Sequence, residues 1–127
     1  MYKRQGNGGS GVVIVRYQIA SVASQKATGG AVSFYGGKTI HSFTQSGDFT
    51  TNAGFDETVE YVIVGGGGAG GTAGPNAYGA AGGGAGQMLV GSGTVTTPSS
   101  TPHAVLIGGG GSYSISSVVR GLSLIHI

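Results

Sequence analysis

The sequence predicts an all-β protein, a small antiparallel β-sandwich or jelly-roll-like module with a long glycine-rich loop. β-Branched residues dominate the aliphatic ones, with 13 Val and 6 Ile against 2 Leu in residues 6–121. Such side chains suit a pleated strand and crowd a helix. Glycine makes up 29 of the 127 residues and interrupts every stretch that would otherwise have helical spacing. We therefore expect short strands joined by turns.

Strand-like runs recur along the chain, and turn residues separate them. Gly36-Gly37, Ser46-Gly47, Pro75-Asn76 and the stretch 98–102 have the composition of turns. The residues before Lys38 alternate like a strand, so Gly36-Gly37 predicts a hairpin. The runs between these turns predict nine strands, at Val12–Tyr17, Ala31–Tyr35, Thr39–Thr44, Asp48–Thr51, Thr58–Val64, Gln87–Val90, Gly93–Thr97, His103–Ile107 and Ser112–Val119.

The two ends of the chain differ in origin from the rest. Residues 1–5 and 122–127 resemble translations, in opposite orientations, of a transposase adapter used in preparing sequencing libraries. We expect both ends to derive from that adapter. Between them, we expect residues 6–28 to be the closing strand of a preceding repeat with its linker. Residues 29–121 then form a glycine-rich β module that is truncated.

Charge and composition exclude several classes of protein. Six Lys and Arg against four Asp and Glu give a net charge of +2. Without Lys3 and Arg4 the charges balance, and no cluster of basic residues remains for nucleic acid or anionic lipid. The longest aliphatic runs, such as Val12–Val15, are far too short to span a bilayer as a helix. We expect no nucleic-acid partner and no membrane insertion, and the absence of Cys excludes disulfides.

Two segments resemble phosphate-binding loops. Residues Val59–Gly71 place glycines after a strand in G-x-G-x-x-G spacing, which in dinucleotide-binding proteins leads into a helix. Here Pro75 and further glycines prevent a helix over 72–86. Residues 36–39 end like a P-loop, but Val32 stands where that motif requires its first glycine. Both segments favour turns and loops, and we expect no cofactor.

The titratable residues form no catalytic constellation. His41 lies in an alternating strand and His103 opens another, and neither has partners at metal-ligand spacing. We expect both to be solvated or hydrogen-bonded strand histidines. We expect a solvated edge or loop, which discourages wrong strand pairing, at the acidic residues Asp56, Glu57 and Glu60. We therefore expect no metal site, no catalytic residue and no enzyme.

The segment Gly65–Gly86 has low complexity, and more than half of its residues are glycine. Such a chain buries no large side chain, and ordering each glycine loses much backbone entropy. Two outcomes stay open. The segment packs backbone against backbone, as in polyglycine II lattices, or it protrudes and is poorly ordered in a monomer.

Three strings together carry a family resemblance: GNGGSGVVIVRY at 6–17, GGAVSFYGGKTIHSFTQSGDFT at 29–50 and VEYVIVGGGGAGG at 59–71. This succession resembles the glycine-rich repeat domains of bacteriophage tail fibres and related virion proteins. In that family a closing strand precedes a hairpin of the pattern H-x-F-x-x-S-G-x-F and then a glycine-rich loop. The hairpin positions are matched here by His41, Phe43, Ser46, Gly47 and Phe49.

The resemblance implies a non-catalytic structural or adhesive repeat, located on a virion or on a cell surface. It implies a homo-oligomer, with a trimer favoured, and a host surface glycan or protein as a further partner. Asn76 and Tyr78 are the candidates for receptor contact, by hydrogen bonding and by stacking. The alternative is a subunit of a bacterial extracellular fibril or a cell-surface adhesin. An ice-binding protein is disfavoured because the sequence has no fixed repeat period. A nucleotide-binding enzyme is the least favoured of the alternatives.

Overall fold

The computed structural model describes residues 7–19, 25–71, 82–112 and 124–125, and none of these residues is helical. No helix in this part of the chain could therefore cross a membrane. Its nine strands are β1 (Val12–Gln18), β2 (Ala27–Thr28), β3 (Ala31–Tyr35), β4 (Lys38–Phe43), β5 (Gly47–Thr51), β6 (Phe55–Val64), β7 (Met88–Thr97), β8 (Thr101–Leu106) and β9 (Leu124–Ile125). All neighbouring strands are antiparallel, in a five-stranded sheet β3-β4-β1-β6-β7 and a four-stranded sheet β2-β5-β8-β9.

The predicted all-β class is confirmed, and two antiparallel sheets form the protein. The hairpin at Gly36-Gly37 is also confirmed, since the turn joins β3 to β4. The jelly-roll connectivity stays a prediction. The predicted strand at Ser112–Val119 lies outside the described residues except for Ser112, which is not in a strand.

The two short strands predicted at Gln87–Val90 and Gly93–Thr97 are wrong, because a single strand, β7, runs through both. All ten of its residues pair with β6, from Phe55↔Thr97 to Val64↔Met88. Continuous backbone pairing overrides the weak strand preference of glycine. Gly91 also makes room for a neighbour, because a Cβ at this position would overlap the ring of Tyr61.

The strand β1 occupies the centre of the five-stranded sheet, between β4 and β6. Val13, Val15 and Tyr17 alternate into the core and are almost fully buried. Its assignment to a preceding repeat stays a prediction, but here β1 supplies the middle of this module. Removing it would separate β4 from β6 and leave one hydrogen-bonding edge of each without a partner strand.

The hydrophobic core lies between the two sheets and draws side chains from both. Tyr17 and Phe55 of the five-stranded sheet meet edge to face with ring centroids 5.1 Å apart. Phe49 of the four-stranded sheet packs edge to face on His41 of the other sheet at 5.0 Å. These contacts show that the sheets pack face to face. The buried apolar residues are Val13, Val15, Tyr17, Ala27, Phe43, Phe49, Phe55, Val59, Ile63, Val95 and Val105.

The antiparallel order brings the glycine-rich segments together at one end of the two sheets. β1 and β7 begin at this end, and β6 and β8 finish there. We call the four segments that flank these strands, residues 7–11, 65–71, 82–87 and 108–111, the glycine bundle. The β3–β4 turn lies at the opposite end, where the carbonyl of Gly37 accepts a hydrogen bond from the backbone N–H of Ile19 at 3.0 Å.

Candidate functional site

Three segments of the glycine bundle are joined in a closed ring of backbone hydrogen bonds. The N–H of Gly8 donates to the carbonyl of Gly111 at 2.9 Å, and the N–H of Gly111 donates to Gly67 at 2.7 Å. The N–H of Gly67 then donates to the carbonyl of Gly9 at 2.9 Å. Each segment therefore donates to one neighbour and accepts from the other, and no side chain takes part in the ring.

The fourth segment, residues 82–87, joins the bundle through residues 65–68. The N–H of Gly68 donates to Gly84 and the N–H of Gly65 donates to Gln87, both at 2.8 Å. Gly66 and Ala69 are buried, so residues 65–71 form the middle of the bundle. Of the two outcomes expected for this segment, backbone packing is confirmed and protrusion is wrong for residues 65–71. The backbone groups find partners in three other segments, which offsets the entropy cost of ordering them.

At four positions of the bundle, glycine is required for space rather than for backbone conformation. A Cβ placed on Gly8, Gly83, Gly86 or Gly110 would approach a backbone carbonyl of a neighbouring segment far inside 3.0 Å, a separation that real Cβ atoms essentially never show. None of these four residues has a positive φ. Only segments without side chains can pack at such a separation, as in polyglycine and collagen lattices.

The hairpin glycines behave in the opposite way. Gly36 and Gly37 have φ values of 59° and 74°, and a Cβ on either would meet nothing within 4 Å. Glycine is needed there because both residues adopt the left-handed conformation that two-residue hairpin turns require. The chain thus uses the same residue type for two different physical reasons.

The G-x-G-x-x-G pattern does not form a phosphate cradle in this structure. A cradle needs free backbone N–H groups at a helix N-terminus, but the N–H groups of Gly65 and Gly67 are donated within the bundle. Residues 65–71 contain no helix. The P-loop-like segment forms the turn that leads into β4. Its lysine is already paired, because Lys38 Nζ lies 2.5 Å from Glu60 Oε2. Residues 36–37 are therefore the predicted turn and residues 65–71 the predicted loop, while residues 72–81 lie outside the described residues.

The hairpin expected for the H-x-F-x-x-S-G-x-F segment is wrong, because β4 pairs with β1 and β3 whereas β5 pairs with β2 and β8 in the other sheet. The residues of the segment are structural. His41, Phe43 and Phe49 are almost fully buried in the core. The hydroxyl oxygen of Ser46 accepts the backbone N–H of Ile107 at 2.9 Å and links the β4–β5 connection to the chain after β8. The motif therefore specifies how the two sheets join.

His41 is the one buried titratable side chain at the centre of this motif. Its Nδ1 donates to the carbonyl of Gly29 at 2.8 Å, and the hydroxyl of Tyr17 donates to Nε2 at 3.1 Å. A carbonyl only accepts, so the neutral ring carries its proton on Nδ1. Burial lowers the pKa of His41, and the hydrogen bond to Gly29 opposes that shift only in part. His41 is the hydrogen-bonded strand histidine that the sequence predicts.

The acidic residues pair with neighbouring side chains instead of forming a cation site. Glu60 Oε2 lies 2.6 Å from Arg16 Nε, and Glu57 pairs with Lys26. The hydrogen bond from Lys38 does most to lower the pKa of the exposed Glu60 carboxyl. The predicted edge or loop placement is wrong for Glu60, which lies where β6 pairs with both β1 and β7, whereas Asp56 and Glu57 lie on the part of β6 that pairs only with β7. In the described part of the chain, no cluster of His, Asp and Glu could hold a metal ion.

The predicted receptor-contact residues, Asn76 and Tyr78, lie outside the described residues. Sequence reasoning missed a different feature, the assembly of four separate glycine runs into one bundle. The signal that could have revealed the bundle is the position of the glycine runs along the chain. Each run lies directly beside a strand or one residue away from it: residues 7–11, 65–71, 82–87 and 108–111.

Comparison with known proteins adds one finding. No curated protein and no solved structure matches the chain significantly. The family model described as a glycine-rich domain matches residues 43–122, well over half of the sequence. That match contains part of the H-x-F-x-x-S-G-x-F segment and three complete segments of the glycine bundle, residues 65–71, 82–87 and 108–111. The chain therefore belongs to the glycine-rich domain family.

Proposed function

We propose that this chain is a non-catalytic structural or adhesive repeat of a phage tail fibre or a similar virion appendage. The glycine bundle is the observation that carries the proposal. In this bundle, backbone N–H and carbonyl groups of glycines from four segments form hydrogen bonds inside the protein. Glycine-rich sequence of this kind serves architecture, and it leaves the amide groups of Gly65 and Gly67 unavailable to a phosphate.

The H-x-F-x-x-S-G-x-F segment supports the same proposal. Its residues lie in the core and at the junction of the sheets, so a chain that repeats the motif would repeat the module. A series of such modules would suit an extended appendage, because each carries its own core and its own bundle. The expected partners are further copies of the chain, with a trimer favoured, and a host surface glycan or protein.

A bacterial extracellular fibril or cell-surface adhesin would use the same architecture, and localisation separates the two candidates. Antibodies raised against the recombinant chain can be applied to virus-sized particles and to bacterial cells from the material that yielded the sequence. Immunogold labelling on particle appendages is the expected result. Labelling confined to cell surfaces would replace the proposal by the adhesin alternative, and labelling of neither would contradict both.

A further inference from the structure

The face of the five-stranded sheet that points away from the core carries aliphatic side chains at the glycine end. Ile14, Val62 and Val90 pair directly across β1, β6 and β7, and the next row brings Val12, Val64 and Met88 together. These positions alternate with the buried ones, so they share the opposite face. We define the outer patch as Val12, Ile14, Ile40, Val62, Val64, Met88 and Val90.

Within the described residues, no element covers the outer patch. Met88 is 65% exposed and Val90 is 62% exposed. A shallow groove of about 630 Å³ crosses the patch, lined by Ile14, Ile40, Val62 and Val90 with the hydroxyls of Ser42 and Ser92. Contiguous exposed apolar surface of this kind is typical of an interface.

The strand sequences also indicate that this face is covered in the assembled protein. β1 begins with four consecutive aliphatic residues, Val12–Val15, and β6 ends with Val62–Val64. A strand with one face in water alternates apolar and polar residues, whereas a strand buried on both faces has a continuous apolar run. Both strands have the second pattern at the glycine end, although only one of their faces meets the core.

The charges beside the outer patch suit a second copy of the same chain. Arg16 and Lys38 both contact Glu60 at the border of the groove. The side chains of Arg16 and Glu60 remain 50% and 40% exposed, so each can reach a further partner. Because this border carries both signs, two copies in opposite orientation can set Arg16 of each against Glu60 of the other.

The overall charge also permits self-association. The net charge of the full sequence is only +2 with His neutral. A small net charge produces little repulsion between copies. In a small-molecule site we would expect a few convergent polar groups in an enclosed pocket, but this groove is shallow and open.

We propose that the outer patch is an interface through which copies of this chain pack face to face. The aliphatic rows supply the buried area, and Arg16 and Glu60 set the orientation. This inference deepens the proposed structural role, on which it rests, because it names the surface that would join the modules.

The test is the molar mass in solution, measured by light scattering and sedimentation over a range of concentrations. The native sequence is expected to have a mass that is a multiple of its 12.4 kDa chain. Val90→Glu places a charge in the patch at an already exposed position and is expected to yield the monomer. Thr94→Glu is the matched control, because Thr94 is exposed on the same strand and the same face but outside the patch, and it is expected to keep the native mass.

Circular dichroism on each variant shows whether the sheets are intact. If Val90→Glu unfolds, Val90→Thr retains a β-branched side chain and is expected to weaken association at least severalfold. A native chain that is monomeric at its highest soluble concentration would overturn the inference. A monomer is also the result expected if another segment of the same chain covers the patch. An oligomer that all patch variants leave intact would also overturn it. The immunogold test is independent of these outcomes, because a monomeric module can still be located on an appendage.

Discussion

The two sheets and the glycine bundle are ordered by opposite means. Between the sheets, large side chains such as Tyr17, Phe49 and Phe55 fill the space and contact one another. In the bundle, most residues are glycine and the backbones of four segments hydrogen-bond directly. The core therefore depends on the space that its side chains fill, and the glycine bundle depends on the lack of side chains at its closest contacts.

This difference predicts opposite responses to the same change in volume. Removing atoms from the core leaves a cavity, whereas adding one carbon to the bundle forces neighbouring backbones apart. The turn glycines form a third case, in which φ rather than space requires glycine. Substitutions in each region can therefore test the comparison directly.

The largest effect is expected for Phe49→Ala. Phe49 is 2% exposed and contacts the rings of Tyr17, His41, Phe55 and His103. Truncating a buried Phe lowers the free energy of unfolding by about 3–5 kcal/mol. Urea denaturation followed by circular dichroism measures the loss.

The matched control for this change is Phe34→Ala, because Phe34 is 65% exposed. It should alter the free energy of unfolding by less than about 0.5 kcal/mol. Equal losses at the two positions would show that the core between the sheets is not what stabilises the fold.

A smaller effect is expected for Gly110→Ala in the bundle. Its added Cβ would collide with the carbonyl of Gly8, and overpacking of this kind lowers the free energy of unfolding by about 1–3 kcal/mol. Hydrogen exchange should show faster exchange at the amide of Gly8, because its bond to the carbonyl of Gly111 links the same two segments. The amide of Gly111, which donates to Gly67, should follow.

Gly109→Ala is the control, because a Cβ on Gly109 would meet nothing within 4 Å and its φ is not positive. Alanine at such a position is neutral or stabilises by up to about 1 kcal/mol, since it restricts the unfolded chain. If Gly109→Ala and Gly110→Ala behave alike, close backbone packing does not explain the bundle's glycines.

A pH effect is expected in the core and not in the bundle, because His41 is buried. Its pKa in the folded protein is lowered by burial, whereas an unfolded His titrates near about 6.5. The unfolded chain therefore binds more protons below that pH, and the free energy of unfolding falls as the solution is acidified. The stabilisation is fully present above the unfolded pKa and is lost as the pH falls toward the folded one.

Urea midpoints measured between about pH 7.5 and about pH 5.5, above the titration of most carboxylates, give the slope. His41→Gln should be less stable at neutral pH. Its stability should also fall less steeply with acidification, because the buried histidine has been removed while the other histidines are unchanged. Identical slopes in the two proteins would assign the pH dependence to other groups.

The smallest expected effect is that of nucleotides on thermal unfolding, which should be absent. A ligand raises the unfolding temperature when it binds only the folded state. The amides of Gly65 and Gly67, which a pyrophosphate would need, are already donated. A concentration-dependent rise with NAD or ATP would show that the bundle opens to bind a phosphate.

The strands could largely be predicted from the sequence because their signals are local. β-Branched runs predicted β1, β3, β4, β5 and β8 to within a few residues at each end. The prediction failed at β7, where Gly91 and Gly93 suggested a break. The strand continues there because β6 offers partners along its whole length and the Tyr61 ring occupies the space above Gly91.

The sequence by itself determined the β class and the hairpin at Gly36-Gly37, and it left open whether Gly65–Gly86 packs backbone against backbone or protrudes. Only the tertiary structure decided which segments meet, as when Gly8 bonds to Gly111 and Gly67 to Gly9. The physical reason is that side chains carry a periodic pattern that can be read locally. Backbone amides are the same in every glycine, so their partners depend on where the strands place the ends of the segments.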